Sequence, residues 1–156
     1  MRSLGRVEHF VTGAVGEPGS RRFFIEIRTD DGLEWFALEK QQAAAMAQRS
    51  LEILREMGIP VAKPGPDLLE PIEPTFRVGE IGIGADGESV VMMLTPTDED
   101  QESVTFLVST ETLGAMAART ADVVAAGRPP CRFCGRPKDA EGHVCPTTNG
   151  DLRRQP

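Results

Sequence analysis

Phe36-Ala-Leu-Glu-Lys-Gln-Gln-Ala-Ala-Ala-Met-Ala-Gln-Arg-Ser-Leu-Glu-Ile-Leu54 decides the reading of this chain, because it occurs twice. Seventy positions later, without a gap, Phe106 to Val124 gives five identities in nineteen: Phe36 with Phe106, Ala45-Met46-Ala47 with Ala115-Met116-Ala117, and Arg49 with Arg119. Ser50, Glu52, Ile53 and Leu54 meet Thr120, Asp122, Val123 and Val124, which are similar in kind. Two Ala-rich helices share residues easily, so the match needs support from outside the helix. Phe10-x-x-Gly13-x-x-Gly16 returns as Phe76-x-x-Gly79-x-x-Gly82 in the same order, and the two echoes together read as a duplicated unit.

Each copy reads strand, strand, strand, helix. Residues 7–14 read as a first strand closed by the turn signal Gly16-Glu17-Pro18-Gly19. Phe23, Ile25 and Ile27 alternate with Phe24, Glu26 and Arg28, the period of a half-buried strand, and Asp31-Gly32 turns the chain into a third strand over 33–38. Ala43, Met46, Ala47, Ser50, Leu54 and Met57 then fall on one face of a helix over 40–57, with Gly58 suited to its left-handed end and Pro60 forbidding continuation. A connector rich in proline and acid follows to residue 74. The second copy repeats the pattern, with a run over 90–94 expected to be buried on both faces and Ser109 as helix cap. Three strands with one helix cannot stand alone, so each half is expected to cover the other about a pseudo-twofold axis.

The chain has 156 residues and a net charge of −7, placed unevenly. Residues 1–126 hold 11 Lys/Arg against 21 Asp/Glu, and residues 127–156 hold 6 against 3. An acidic body repels phosphate backbones, so no nucleic acid is expected as a partner. There is no secretory leader and no apolar run near the length of a membrane span, which reads as a cytoplasmic protein without membrane contact.

All three cysteines fall within fifteen positions, an arrangement foreign to a secreted disulfide framework. Cys131-Arg-Phe-Cys134-Gly is a turn that brings two thiolates to one ion, and after eight intervening residues His143-Val-Cys145 completes a tetrahedral set. Soft ligands in this number fit one structural zinc per chain held by Cys131, Cys134, His143 and Cys145, with no open position for catalysis. A redox dithiol or an unmetallated tail are the alternatives. Elsewhere the chain has no nucleophile elbow, P-loop or dinucleotide fingerprint, and His9 is its only other histidine. His9 reads as a packing or surface residue before it reads as a general base. Glu39, Lys40 and Gln41 read as a capped, solvated first helical turn; the functional alternative is a polar pocket shared with Ser109, Thr110 and Glu111. The acidic stretch 98–102 reads as a solvated loop, since it lacks the alternating ligands and glycine of a calcium loop.

Leu38-Glu39-Lys40-Gln41, Phe76-Arg77-Val78-Gly79, and above all Gly127-Arg-Pro-Pro-Cys-x-x-Cys-Gly-x-Pro followed by Glu141-Gly-His-x-Cys-Pro and Asn149-Gly150, resemble the bacterial family known as domain of unknown function 3090. The resemblance spans nearly the whole chain. It implies neighbouring genes for a histidine-phosphatase-like and a phosphatidylinositol-kinase-like protein, and it supplies no catalytic residue. The expectation is therefore an α+β protein with an internally duplicated, mainly antiparallel body over 1–126 (halves 7–58 and 75–126) and a zinc-knuckle tail over 127–156. Its expected role is a non-enzymatic adaptor or regulatory protein engaging another protein, such as a neighbouring gene product. The alternative is an enzyme or ligand-binding protein with a pocket between the repeats, for a phosphorylated metabolite.

Overall fold

The periodic stretch at 40–57 forms a helix, α1 (Lys40–Glu56), whose buried face is Ala43, Met46, Ala47, Ser50, Ile53 and Leu54. Gly58, at φ +76°, ends it: Gly58 N–H donates to the Arg55 carbonyl (3.0 Å) and Ile59 N–H to the Leu54 carbonyl (2.9 Å), the paired bonds of a Schellman cap. The second helix, α2 (Thr110–Ala126), buries Leu113, Gly114, Met116, Ala117, Thr120 and Val123, and Ser109 Oγ accepts the Thr112 N–H at 3.1 Å as its cap. In both helices a fully buried hydroxyl bonds the carbonyl four residues back, Ser50 to Met46 and Thr120 to Met116, each at 2.7 Å. The bond lets a polar residue sit in the apolar face without an unsatisfied donor.

The computed structural model describes residues 1–17, 19–60, 62–69 and 73–126. Its strands are β1 (Arg2–Arg6), β2 (Phe10–Val15), β3 (Arg22–Thr29), β4 (Gly32–Leu38), β5 (Phe76–Asp86), β6 (Ser89–Pro96) and β7 (Val104–Ser109). They form one sheet in the order β1-β7-β6-β5-β4-β3-β2. The class is α+β, with a mixed, mostly antiparallel sheet. Two seams are parallel: β4 with β5, through Phe36↔Phe76 and Ala37↔Arg77, and β1 with β7. The strand expected over 7–14 is corrected to β2 over 10–15, and a strand not expected, β1 over 2–6, precedes it, because residues 7–9 leave one ladder for another. Val7 N–H donates to the Leu107 carbonyl on β7, whereas the His9 carbonyl accepts from Arg28 N–H on β3. Since β1 and β2 stand at opposite ends of the strand order yet are three residues apart in the chain, the sheet curls until its ends meet there.

Inside the curl, Phe10, Phe36, Phe76 and Phe106 join one core with both helices. Phe36 packs edge-on against Phe76 at the β4–β5 seam (ring centroids 4.9 Å), and Phe10 on β2 against Phe106 on β7 (5.1 Å). Two burial expectations are reversed. On β3 every residue from Phe23 to Ile27 is buried, because residues 67–69 of the connector pack over the second face of β2 and β3. On β6 only Val90, Met92 and Leu94 are buried, while Val91 is 37% exposed, because no element covers that side among the described residues. Among the described residues no helix is long and apolar enough to cross a membrane. The expected zinc ligands and the whole tail 127–156 lie outside the described residues.

Candidate binding site

Where β4 passes into α1 the chain leaves the sheet, while β3 on one side and β5 on the other still flank the gap. The result is a cavity of about 350 Å³ lined by Arg21, Arg22, Phe23, Glu39, Lys40 and Arg77 among others. This lies at the low end of the size range of small-molecule sites. Four cationic residues and one carboxylate border it, in a body whose overall charge is strongly negative. Arg77 reaches the cavity only because the short parallel ladder pairs it with Ala37. Its guanidinium bonds Glu39, both side chains being more than half exposed. The Arg21 guanidinium stacks over the Phe23 ring at 5.0 Å and that of Arg22 over Phe24 at 5.2 Å, so the aromatic rings stiffen two flexible cations. Gln42 holds the first turn of α1 in place. Its Oε1 accepts the Glu39 N–H (2.7 Å), and its Nε2 donates to the carbonyls of Val78 and Gly79 on β5 (3.0 and 3.1 Å).

The pocket imagined between Glu39, Lys40 and Gln41 and the start of α2 takes a different form. Glu39 and Lys40 do line a cavity, but with partners from β3 and β5; Ser109 is occupied in capping α2, and Glu111 and Thr112 border a separate, smaller cleft beside His9. Nothing in the local sequence pairs Arg77 with Lys40. Only the parallel seam does.

A second polar centre went unnoticed in the sequence. Glu26, on β3, is fully buried, and its carboxylate bonds His9 Nε2 (2.7 Å) and accepts from Trp35 Nε1 (2.8 Å) and Leu69 N–H (3.0 and 2.9 Å). The cross-strand register Glu26↔Trp35 was the available signal. These bonds tie His9 just before β2, Trp35 on β4 and Leu69 of the connector to β3. One side of His9 borders an open, polar cleft with Arg6, Glu8, Arg28 and Asp30.

A third feature is a shallow groove of about 370 Å³ between α1 and α2, with Ala44, Leu51, Ala121, Val124 and Ala125 in its apolar floor. Among the described residues, no group of three or more His, Cys, Asp or Glu side chains converges to hold a metal. The expected ligands Cys131, Cys134, His143 and Cys145 lie outside the described residues.

No curated protein and no solved structure matches the chain. The family described as protein of unknown function (DUF3090) matches residues 3–145. With nearly the whole length matched, the chain belongs to the domain of unknown function 3090 family.

Proposed function

We propose that this chain is a non-enzymatic binding and regulatory protein whose body, an internal duplication, holds a small ligand at a seam between its halves. Residues seventy apart support the duplication. Met46 and Met116 lie in equivalent turns, and Ser50 and Thr120 each bond back to them at 2.7 Å. The edge-on pairs Phe36–Phe76 and Phe106–Phe10 each set the last strand of one half against the first strand of the other, and the β4–β5 seam joins the halves beside the first pair.

The observation that carries the functional reading is the cavity at the β4–β5 seam, drawn from β3, β4 and α1 of one half and Arg77 of the other. A cavity made by both halves is what duplication adds to a three-stranded unit. A thermal melt across a panel of small metabolites, charged and neutral, tests it: a dose-dependent rise in midpoint supports a ligand in the body. Absence of any shift across the panel removes the reading.

A second reading, an adaptor for another protein such as a neighbouring gene product, is favoured by the apolar groove between α1 and α2. In this reading the cytoplasmic protein presents that groove and a zinc-knuckle tail, folded around Cys131, Cys134, His143 and Cys145, to its partner. Affinity capture with the full chain and with a version ending at Ala126 separates the contributions. A partner lost on truncation assigns docking to the tail, and one retained assigns it to the body.

A further inference from the structure

We infer that the β4–β5 cavity is a site for a dianionic phosphoryl group on a small molecule, and that Glu39 is a resident carboxylate that competes with this group for Arg77. The inference rests on the reading of the seam as a ligand site and names the ligand's chemistry.

Three lines converge. The first is charge. Arg21, Lys40 and Arg77 line one cavity with a single carboxylate, and Arg22 borders it while its guanidinium lies over Phe24, so positive charge stands in excess there within an acidic body. A monoanion leaves most of that excess uncompensated, whereas a phosphoryl dianion with several acceptor oxygens matches guanidinium forks and a lysine together. The start of α1 at the same place adds backbone N–H groups of the same sign.

The second line is a comparison inside the molecule. Phe23 pairs with Leu38 in the first half as Val90 pairs with Val108 in the second, so the positions matching Arg21 and Arg22 are Glu88 and Ser89. Those matching Glu39 and Lys40 are Ser109 and Thr110, and Arg77, one residue after Phe76, matches Val11, one after Phe10. None of the four cations has a cationic counterpart. Near that second seam Arg6, supplied by β1, is already engaged by Ser89 Oγ at 2.7 Å. The same supersecondary unit therefore forms without this charge, and the cations at the first seam are not a requirement of the fold.

The third line is the occupancy of Arg77. The Arg77–Glu39 pair is solvent-exposed, with side-chain exposures of 55% and 68%, so it is weak and easily exchanged. An incoming phosphoryl group has the higher charge and takes the guanidinium, while Glu39 turns to solvent. The Glu39 carboxylate then gives up its capping-box place on the Gln42 N–H, while the reciprocal bond from the Glu39 N–H to Gln42 Oε1 stays.

The test uses the full chain, with amide NMR to locate binding and calorimetry to measure it. The probes are inorganic phosphate and phenyl phosphate, with benzoate and a neutral phenol as controls. Phosphate and phenyl phosphate should shift the amides of Arg22, Lys40, Gln41 and Arg77. Arg77→Ala should weaken binding by about tenfold or more, the scale on which a charge-assisted contact is lost. Glu39→Gln should strengthen it by about two- to fivefold, the worth of an exposed ion pair. Both residues are exposed, so neither variant threatens folding. Phosphate shifts that persist unchanged in Arg77→Ala, or weaker binding in Glu39→Gln, overturn the inference. If benzoate or the phenol shifts the seam while both phosphates do not, the phosphoryl assignment falls and the seam remains a ligand site. If no probe shifts the seam, both fall.

Discussion

Replacing Glu26 by alanine should be among the more damaging single changes in the body, although Glu26 lies outside the apolar core. Its carboxylate bonds His9 Nε2, Trp35 Nε1 and Leu69 N–H among its partners. They differ in what they lose. His9 retains 18% side-chain exposure and recovers water, and Leu69, at 52%, recovers it for its amide. The half-buried Trp35 N–H recovers least. Taking about 2 kcal/mol for Trp35 and about 0.5 kcal/mol each for the other two, the lost bonds come to about 3 kcal/mol. The vacated volume adds to this, and relief of the carboxylate's own burial offsets part of it. For a domain of this size about 3 kcal/mol lowers the melting midpoint by roughly 10 °C. Glu26→Gln should cost about a third as much, since the amide oxygen still accepts from Trp35 or Leu69 while its NH2 faces a histidine nitrogen that accepts in the other tautomer. Thermal denaturation by circular dichroism of the two variants measures this, and limited proteolysis reports release of the segment 62–69. A midpoint for Glu26→Ala within about 2 °C of the parent, or equal losses in the two variants, refutes the reasoning.

Gly13 tests the same strap from the other side. A Cβ built there lies 2.6 Å from Leu68 Cγ, so Gly13→Ala should destabilise by about 1–3 kcal/mol in chemical denaturation and speed cleavage within 62–69. A neutral result would mean that the strap sits elsewhere. For the tail, purified protein should carry about one zinc per chain by elemental analysis, and Cys134→Ser should lose it. Full zinc retention in that variant would remove the ligand set.

Legibility followed range along the chain. The helix spans, the Ser109 cap and the Gly58 terminus were readable because each depends on residues within one or two turns of one another. So was the β5–β6 turn, displaced by one residue: Gly87, at φ +63°, and Glu88 form the loop, and Asp86 closes β5 opposite Ser89. At the first hairpin the glycine signal was slightly misplaced: Asp30 and Asp31 form the loop, and Gly32 opens β4 opposite Thr29. Burial of strand faces was misread twice, on β3 and β6. Alternation states which residues share a face, not whether a segment forty positions away will cover it. The candidate site suffered most. Lys40 and Glu39 drew notice as a first turn, but Arg77 is carried to them by a two-pair parallel ladder that leaves no mark in either strand's sequence.

Sequence alone determined the two helices and the alternating strands that feed them, and it predicted their repeat at seventy residues, because hydrophobic period, caps and turn residues act locally. Tertiary structure decided that β1 and β2 split at residues 7–9, that the sheet curls until its ends meet, and that the strap 62–69 buries Glu26. It also decided that four cations from three separated stretches share one cavity. Those outcomes depend on which backbone edges pair and which faces are covered, and such choices are made by the balance of burial and hydrogen bonding over the whole chain rather than by any window of it.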